Sequence, residues 1–214
     1  MQLRLHFKSF DMPTFPSQSL LHNLRQDVEK IQAQTIQLSG LSQDLLQAQP
    51  AANSWSIVQV IAHLNSYNRY YLPQIARAMA AGASPAAPFF KPGFFGNYFT
   101  KMMQPPVNPQ SFKKYKAPKD HTPPAGLDGK AVLHEFLEAQ QQLQQLLQMA
   151  GQKDLGKIKV PVSISRFIKL KLGDTFRFLI AHQLRHFLQI ERILKNAGVA
   201  TLSDQHIPVG IQPE

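Results

Sequence analysis

The stretch GDTFRFLIAHQLRHFLQIERILKNAG, Gly173–Gly198, decides how the rest of the chain is read. Phe176, Leu179, Ile180, Leu184, Phe187, Ile190, Ile193 and Leu194 recur in it at helical spacing. That spacing predicts one long helix with a broad apolar face. Asp174 has the residue type of an N-cap, Lys195 suits a last turn, and Gly198 suits the stop after it. His182 and His186 stand four apart on the apolar face. Side chains at that spacing lie one above the other, so both imidazoles aim at whatever the helix packs against. Two imidazoles so placed can chelate a divalent metal. The same pattern also suits a pair of hydrogen-bonded histidines inside a core.

Three more long helices are expected upstream. Leu20, Leu21, Leu24, Val28, Ile31, Thr35 and Leu38 trace the first, from a Ser17 cap to about Ser39, with Gly40 as its stop. A short helical piece, Ser42 to Ala48, follows and ends before Pro50. Ser54 is read as the cap of the second long helix, which begins at Trp55 and ends at Gly82. Ile57, Val60, Ile61, Leu64, Tyr67, Asn68 and Tyr71 mark its inner side, and His63 borders that side. Pro73 falls within this periodic stretch and is expected to kink or restart the helix. The third runs from Gly129 to Ala150 after an Asp128 cap. Val132, Leu133, Phe136, Leu137, Leu143, Leu146 and Leu147 form its apolar side, and most of its glutamines face outwards.

Residues 83–127 break this pattern. Prolines recur there, and Phe89, Phe90, Phe94, Phe95, Tyr98, Phe99, Phe112 and Tyr115 sit among them. So much proline excludes a long helix, and so many aromatics argue against disorder. An ordered excursion that buries its aromatics on the helices is expected, with a short helix at Phe94–Met103; the excursion, Phe94–Phe99 above all, could roof a metal pocket or simply pack on the bundle flank. Residues 1–16 read as a surface arm. No period-2 hairpin is convincing, because Pro161 weakens the one strand-like segment, KIKVPVSISRFIKL. The fold class expected is therefore all-α: one four-helix-bundle domain over residues 1–214. The long crossover between the second and third helices implies that those two run parallel.

Composition narrows the function. The cysteine count of 0 removes disulfides, thiolate ligands and a cysteine nucleophile. The first residues hold no apolar run of signal-peptide length, and no stretch is long and apolar enough to span a membrane. A cytoplasmic protein with no membrane partner is expected. A formal charge of +10 raises nucleic acid, acidic lipid or an anionic small molecule as partners. The positive charges are dispersed, with Lys113, Lys114, Lys116 and Lys119 as the nearest approach to a cluster. No nucleic-acid recognition motif accompanies them, so a solvated basic surface is the preferred reading.

His63 strengthens the metal reading of the histidine pair, because bundle metal sites are built from side chains on facing helices. Three imidazoles and an open position match the ligand set of a catalytic zinc site; nickel, cobalt, iron and manganese also suit it. His6 and His206 lie near the termini, His121 in the proline-rich loop, and His22 and His134 on helices without a partner at ligand spacing; all five are read as surface residues or, at most, as supports of the ligands.

SWSIVQVIAHL (54–64), followed near the chain end by AHQLRH (181–186), resembles the DinB-like superfamily of four-helix-bundle proteins. FKPGFFGNYFTKMMQPP (90–106), KAPK (116–119) and KVPVS (159–163) resemble a subgroup with an enlarged middle connection. The resemblance covers most of the chain. It implies an up-down-down-up bundle, a homodimer, and a divalent metal held by His63, His182 and His186. Relatives include transferases that use bacillithiol or mycothiol, a thiol-dependent isomerase, and metal-dependent hydrolases.

A three-histidine metal suits two chemistries. It can lower the pKa of bound water towards about 7 for hydrolysis, or hold a low-molecular-weight thiol as thiolate. Hydrolysis usually wants a general base nearby. No Asp or Glu occurs between Asn53 and Lys119, and Glu191 points away from His186. Thiol S-transfer to or from a small-molecule substrate is therefore the first expectation. Metal-dependent hydrolysis comes second, and a non-enzymatic helical module with a structural or vestigial metal site third. Arg69, Asn65, Tyr67, Arg185 and Gln189 flank the histidines and could meet an anionic substrate; none is assigned a catalytic role.

Overall fold

A computed structural model describes residues 12–106, 115–199 and 202. In chain order its elements are β1 (Phe15–Pro16), α1 (Ser17–Ser39), α2 (Gln43–Gln47), α3 (Ile57–Ala81), β2 (Phe89–Phe90), α4 (Phe94–Met103), α5 (Gly129–Ala150), β3 (Lys159–Val162), β4 (Ser165–Lys171) and α6 (Leu172–Asn196). A 3-10 turn at Lys119–His121 precedes α5. Among the described residues no helix is long and apolar enough to cross a membrane.

The four long helices close around one apolar core. α5 packs on α1 and α3, and α6 packs on the same two. α1 and α3, consecutive long helices, therefore share partners. The expected inner faces are buried: Leu24, Val28 and Ile31 of α1, Val60, Ile61 and Leu64 of α3, Phe136 and Leu143 of α5, and Phe176, Leu179 and Phe187 of α6. Asp128 caps α5 by accepting from the amides of Lys130 and Ala131, as the sequence predicts.

α6 is buried all round from Leu172 to Arg185, a property of a helix enclosed on every side. α4 covers the flank that the bundle leaves open. The contact is close. A Cβ on Gly96 would stand 2.2 Å from the Asp174 side chain, and one on Gly173 would stand 2.7 Å from the Phe90 ring. Two buried charges sit in this seam. Asp174 accepts from the Gly93 amide at 2.7 Å and from Arg177 Nη1 at 3.3 Å. Arg177 Nη2 donates to Asn97 Oδ1, and its guanidinium lies 4.6 Å from the Phe15 ring centre.

Several expectations are corrected. Asp174 does not cap its own helix: α6 starts at Leu172, and the carboxylate turns to α4 instead. Ser17 is helical; the preceding strand residues pair with Phe89–Phe90, and the Ser17 amide donates to Pro88 O. The end of the arm is thus packed in, with Phe15 buried. Ser56, not Ser54, caps α3 through a capping box with Gln59, which leaves Trp55 outside the helix. α3 passes Pro73 as one element without restarting. The strand-like segment forms a hairpin after all: β3 pairs antiparallel with β4, with a register shift at Pro161/Val162 that accommodates the proline. The molecule is therefore mostly helical rather than all-α.

α4 stands where the sequence places it, but it buries fewer aromatics than expected. Phe90 is buried and Phe99 packs partly on the core, whereas Phe89, Phe94, Phe95, Tyr98 and Tyr115 are exposed. Residues 1–11, including His6, and Phe112, Lys113, Lys114 and His206 lie outside the described residues.

Candidate metal centre

α3 and α6 meet across the core, and their meeting brings His63, His182 and His186 together. One ligand atom from each lies within 4.8 Å of the others. His182 Nε2 is 3.2 Å from His63 Nε2 and 3.0 Å from His186 Nε2. The other ring nitrogens show why these atoms converge. His63 Nδ1–H donates to the carbonyl of His121 at 2.6 Å. His186 Nδ1–H donates to Gln189 Oε1 at 2.9 Å. Each bond fixes the tautomer and turns an Nε2 lone pair inward. His182 Nδ1 is buried without a hydrogen bond among the described residues.

A single proton on His182 Nε2 can serve only one of its two neighbours well, so the trio is poorly satisfied as a hydrogen-bonded cluster. It fits a cation better. Tetrahedral zinc with bonds of about 2.0–2.1 Å spaces its nitrogen ligands about 3.3 Å apart, close to the 3.2 Å between His63 and His182 and the 3.0 Å between His182 and His186; all three ligand atoms lie within 4.8 Å of one another. Burial, the leading cause in each case, lowers His63 to about 4, His186 to about 3 and His182 well below its ordinary value. All three are neutral near pH 7, the state in which imidazole binds metal.

Aromatic rings wall the site. Trp55 lies 4.9 Å from the His63 ring and 6.4 Å from that of His186, a position set by its place just before the Ser56 cap. Tyr67 lies 4.4 Å from His182, and burial raises its phenol to about 12, so it stays protonated. Phe178 stacks on His182 from the preceding turn.

His121 takes part from the 3-10 turn. Its ring stacks on Tyr67 at 3.9 Å, while Ser66 Oγ at 2.8 Å and Ser163 Oγ at 3.0 Å meet its two nitrogens. Ser66 Oγ donates to His63 O, so His121 Nδ1–H donates to Ser66 and its Nε2 accepts from Ser163. This chain ties α3, the loop and the β3–β4 turn together and holds the carbonyl that orients His63. His121 thus reaches His63 through its backbone carbonyl rather than its ring.

The histidines open on a pocket of about 670 Å³. Met103, Tyr115 and residues 116–118 line it; the Phe94–Phe99 stretch does not, so the roof comes from the later part of the excursion. Arg185, Gln189 and Arg192 continue its wall along α6. No Asp or Glu is among its described lining residues. Arg69 and Asn65 serve elsewhere: Arg69 pairs with Glu135 at 2.6 Å, and Asn65 donates to Val132 O. His22 and His134 are exposed and take no part.

The DinB superfamily profile matches residues 27–190. In fold the chain is similar to YfiT from Bacillus subtilis, described as a probable metal-dependent hydrolase with an unusual four-helix bundle topology. The two share 14% identity at a TM-score of 0.50, over 86% of this chain and 89% of that one. At this identity the likeness concerns the fold. No curated protein matches the chain in sequence.

Proposed function

The chain belongs to the DinB superfamily, and from that premise we propose that it is a divalent-metal-dependent enzyme whose ligands are His63, His182 and His186. The observation that carries the reading is the convergence of three neutral imidazoles, two of them oriented by hydrogen bonds at Nδ1, beside a pocket. Zinc suits three imidazoles, and nickel, cobalt, iron and manganese can replace it. When bound, such an ion supplies Lewis acidity, which favours thiolate over thiol or acidifies water. His121 O and Gln189 hold His63 and His186 in one tautomer. Trp55, Tyr67 and Phe178 surround them and limit water.

The reaction proposed is thiol S-transfer. A low-molecular-weight thiol loses its proton to solvent, its sulfur forms a bond to an electrophilic carbon, and the carbon's leaving group departs as an anion with the bonding pair. A described pocket wall without carboxylates supports this, because the reaction requires no general base once the thiolate is formed. Hydrolysis is the second reading, favoured by the likeness to a protein described as a probable metal-dependent hydrolase. We also take the bundle to run up-down-down-up, with the long connection as its crossover, and the protein to act as a cytoplasmic homodimer. The cysteine count of 0 supports a reducing compartment, and light scattering tests the dimer.

The test is turnover of a chlorodinitrobenzene by small thiols with zinc-loaded protein, beside an ester panel without thiol. Thiol-dependent chloride release, lost in His182→Ala, is expected. Ester cleavage without thiol would favour hydrolysis. Full S-transfer by metal-free His182→Ala protein would sink the reading.

A further inference from the structure

α4 carries its aromatic side outwards. Gly96, Asn97 and Thr100 are buried, whereas Phe94, Phe95 and Tyr98 are each more than half exposed. With Lys101, also exposed, these three fall on one side of the helix. A surface helix ordinarily turns its apolar side to the core, so α4 is reversed. The contacts of Gly96 with Asp174 and of Asn97 with Arg177 fix which side faces inwards. Phe89, just ahead of α4, is more than half exposed as well. An exposed apolar patch with a polar rim marks an interaction surface. We propose that this face docks on a membrane surface rich in anionic lipid, independently of the metal site.

The fold supplies the matching charge. Lys171 Nζ donates to Lys91 O at 2.6 Å, and its side chain passes beside Gly93. The side of β4 that bears Lys171 therefore adjoins the start of α4. Side chains alternate along a strand, so Phe167 and Lys169 share that side. Phe167 stands almost wholly in solvent and Lys169 is exposed. Lys159 pairs with Lys171 across the hairpin and is exposed too. Lysines distant in sequence are thus gathered around the aromatic side of α4. The segments that build this face, residues 82–106 and 155–173, contain no Asp or Glu, and Asp174 beneath them is buried.

Aromatic rings and lysines side by side suit the boundary between headgroups and acyl chains. The rings enter the apolar layer, while long lysine side chains reach back to the phosphates. Anionic lipid attracts each such lysine, and the cytoplasmic leaflet carries the negative surface potential. The contact lies on the surface, so it requires no spanning helix. Charge complementarity sets this occupant above two others. A second copy seated on the face about a twofold axis would bring its lysines against their own counterparts. Single-stranded nucleic acid favours a groove lined by open ring faces. α4 is instead an outer helix, and its Phe94 and Phe95 rings meet edge to face, 5.5 Å apart.

The test is co-sedimentation of the full-length protein with vesicles of phosphatidylcholine alone and of phosphatidylcholine mixed with phosphatidylglycerol. Binding to the anionic vesicles is expected to be about tenfold tighter or more, and to weaken as sodium chloride is added. Phe94→Ser/Tyr98→Ser, checked for its fold by circular dichroism, is expected to lose about tenfold in affinity for them. Lys101→Gln/Lys169→Gln is expected to lose about fivefold. Lys130→Gln/Lys195→Gln removes as much charge from exposed positions elsewhere and is expected to bind nearly as the wild type does. Equal binding to both kinds of vesicle, unchanged affinity in the aromatic variant, or equal losses in the two lysine variants would overturn the proposal. So would a dimer that the aromatic substitutions split, read by light scattering, since the face would then belong to a second copy. Binding of a single-stranded oligonucleotide, lost in the aromatic variant and without vesicle binding, would give the face to nucleic acid and overturn it too.

Discussion

His186 owes its orientation to Gln189, three residues further along α6, whose Oε1 accepts the Nδ1 proton. Partners of this kind typically contribute 10–100-fold to metal affinity. Gln189→Ala is therefore expected to weaken zinc binding by about 10–100-fold in a chelator competition, without loss of helical signal. Unchanged affinity would show that packing alone orients the ring. At this scale the sequence was informative about which histidines meet: helical spacing put His182 and His186 on one face and His63 beside the inner side of another helix. It was silent about what orients His63. That partner is a backbone carbonyl, which every residue has, and only the tertiary structure brings His121 to it.

The seam between α4 and α6 shows why element ends were harder to read. Asp174 has the type and place of an N-cap, yet its carboxylate meets Gly93 and Arg177 across the seam. An acidic residue near a helix start is the same signal in either case, and only packing decides between them. The pair is almost wholly enclosed. Removing one member of a buried ion pair strands the other charge, at a cost of about 3–5 kcal/mol. Asp174→Ala should lose about that much stability in urea denaturation. Gly96→Ala should lose about 1–3 kcal/mol, because its methyl group enters space that Asp174 fills. Stability unchanged in both variants would mean that α4 is not held where the structure has it. The β3–β4 hairpin was hidden by Pro161 and by Phe167, which faces solvent at 97% exposure and breaks the expected alternation.

At the scale of the molecule, the core is built from apolar residues on four helices, and the histidines lie where α3 and α6 meet. The fold is therefore expected to form without metal. Chelator-treated protein should keep its helical circular dichroism. Zinc at about 100 times its Kd should then stabilise the folded state by about 2.7 kcal/mol, which for a chain of this size raises the melting temperature by about 5–10 °C. Unfolding on metal removal would give the site a structural role instead. The helix count and inner faces were legible because amphipathic periodicity is local. Which helices are neighbours was not, since the pairing of α1 and α3 with α5 and α6 depends on contacts distant in sequence.

The central claim, that His63, His182 and His186 together hold a metal, is tested most directly by elemental analysis of tag-free protein beside a His63→Ala/His182→Ala variant. The account predicts close to one divalent ion per chain in the first and none in the second. It is contradicted if the wild-type protein takes up no metal after incubation with zinc, nickel or manganese, or if the variant retains as much as the wild type.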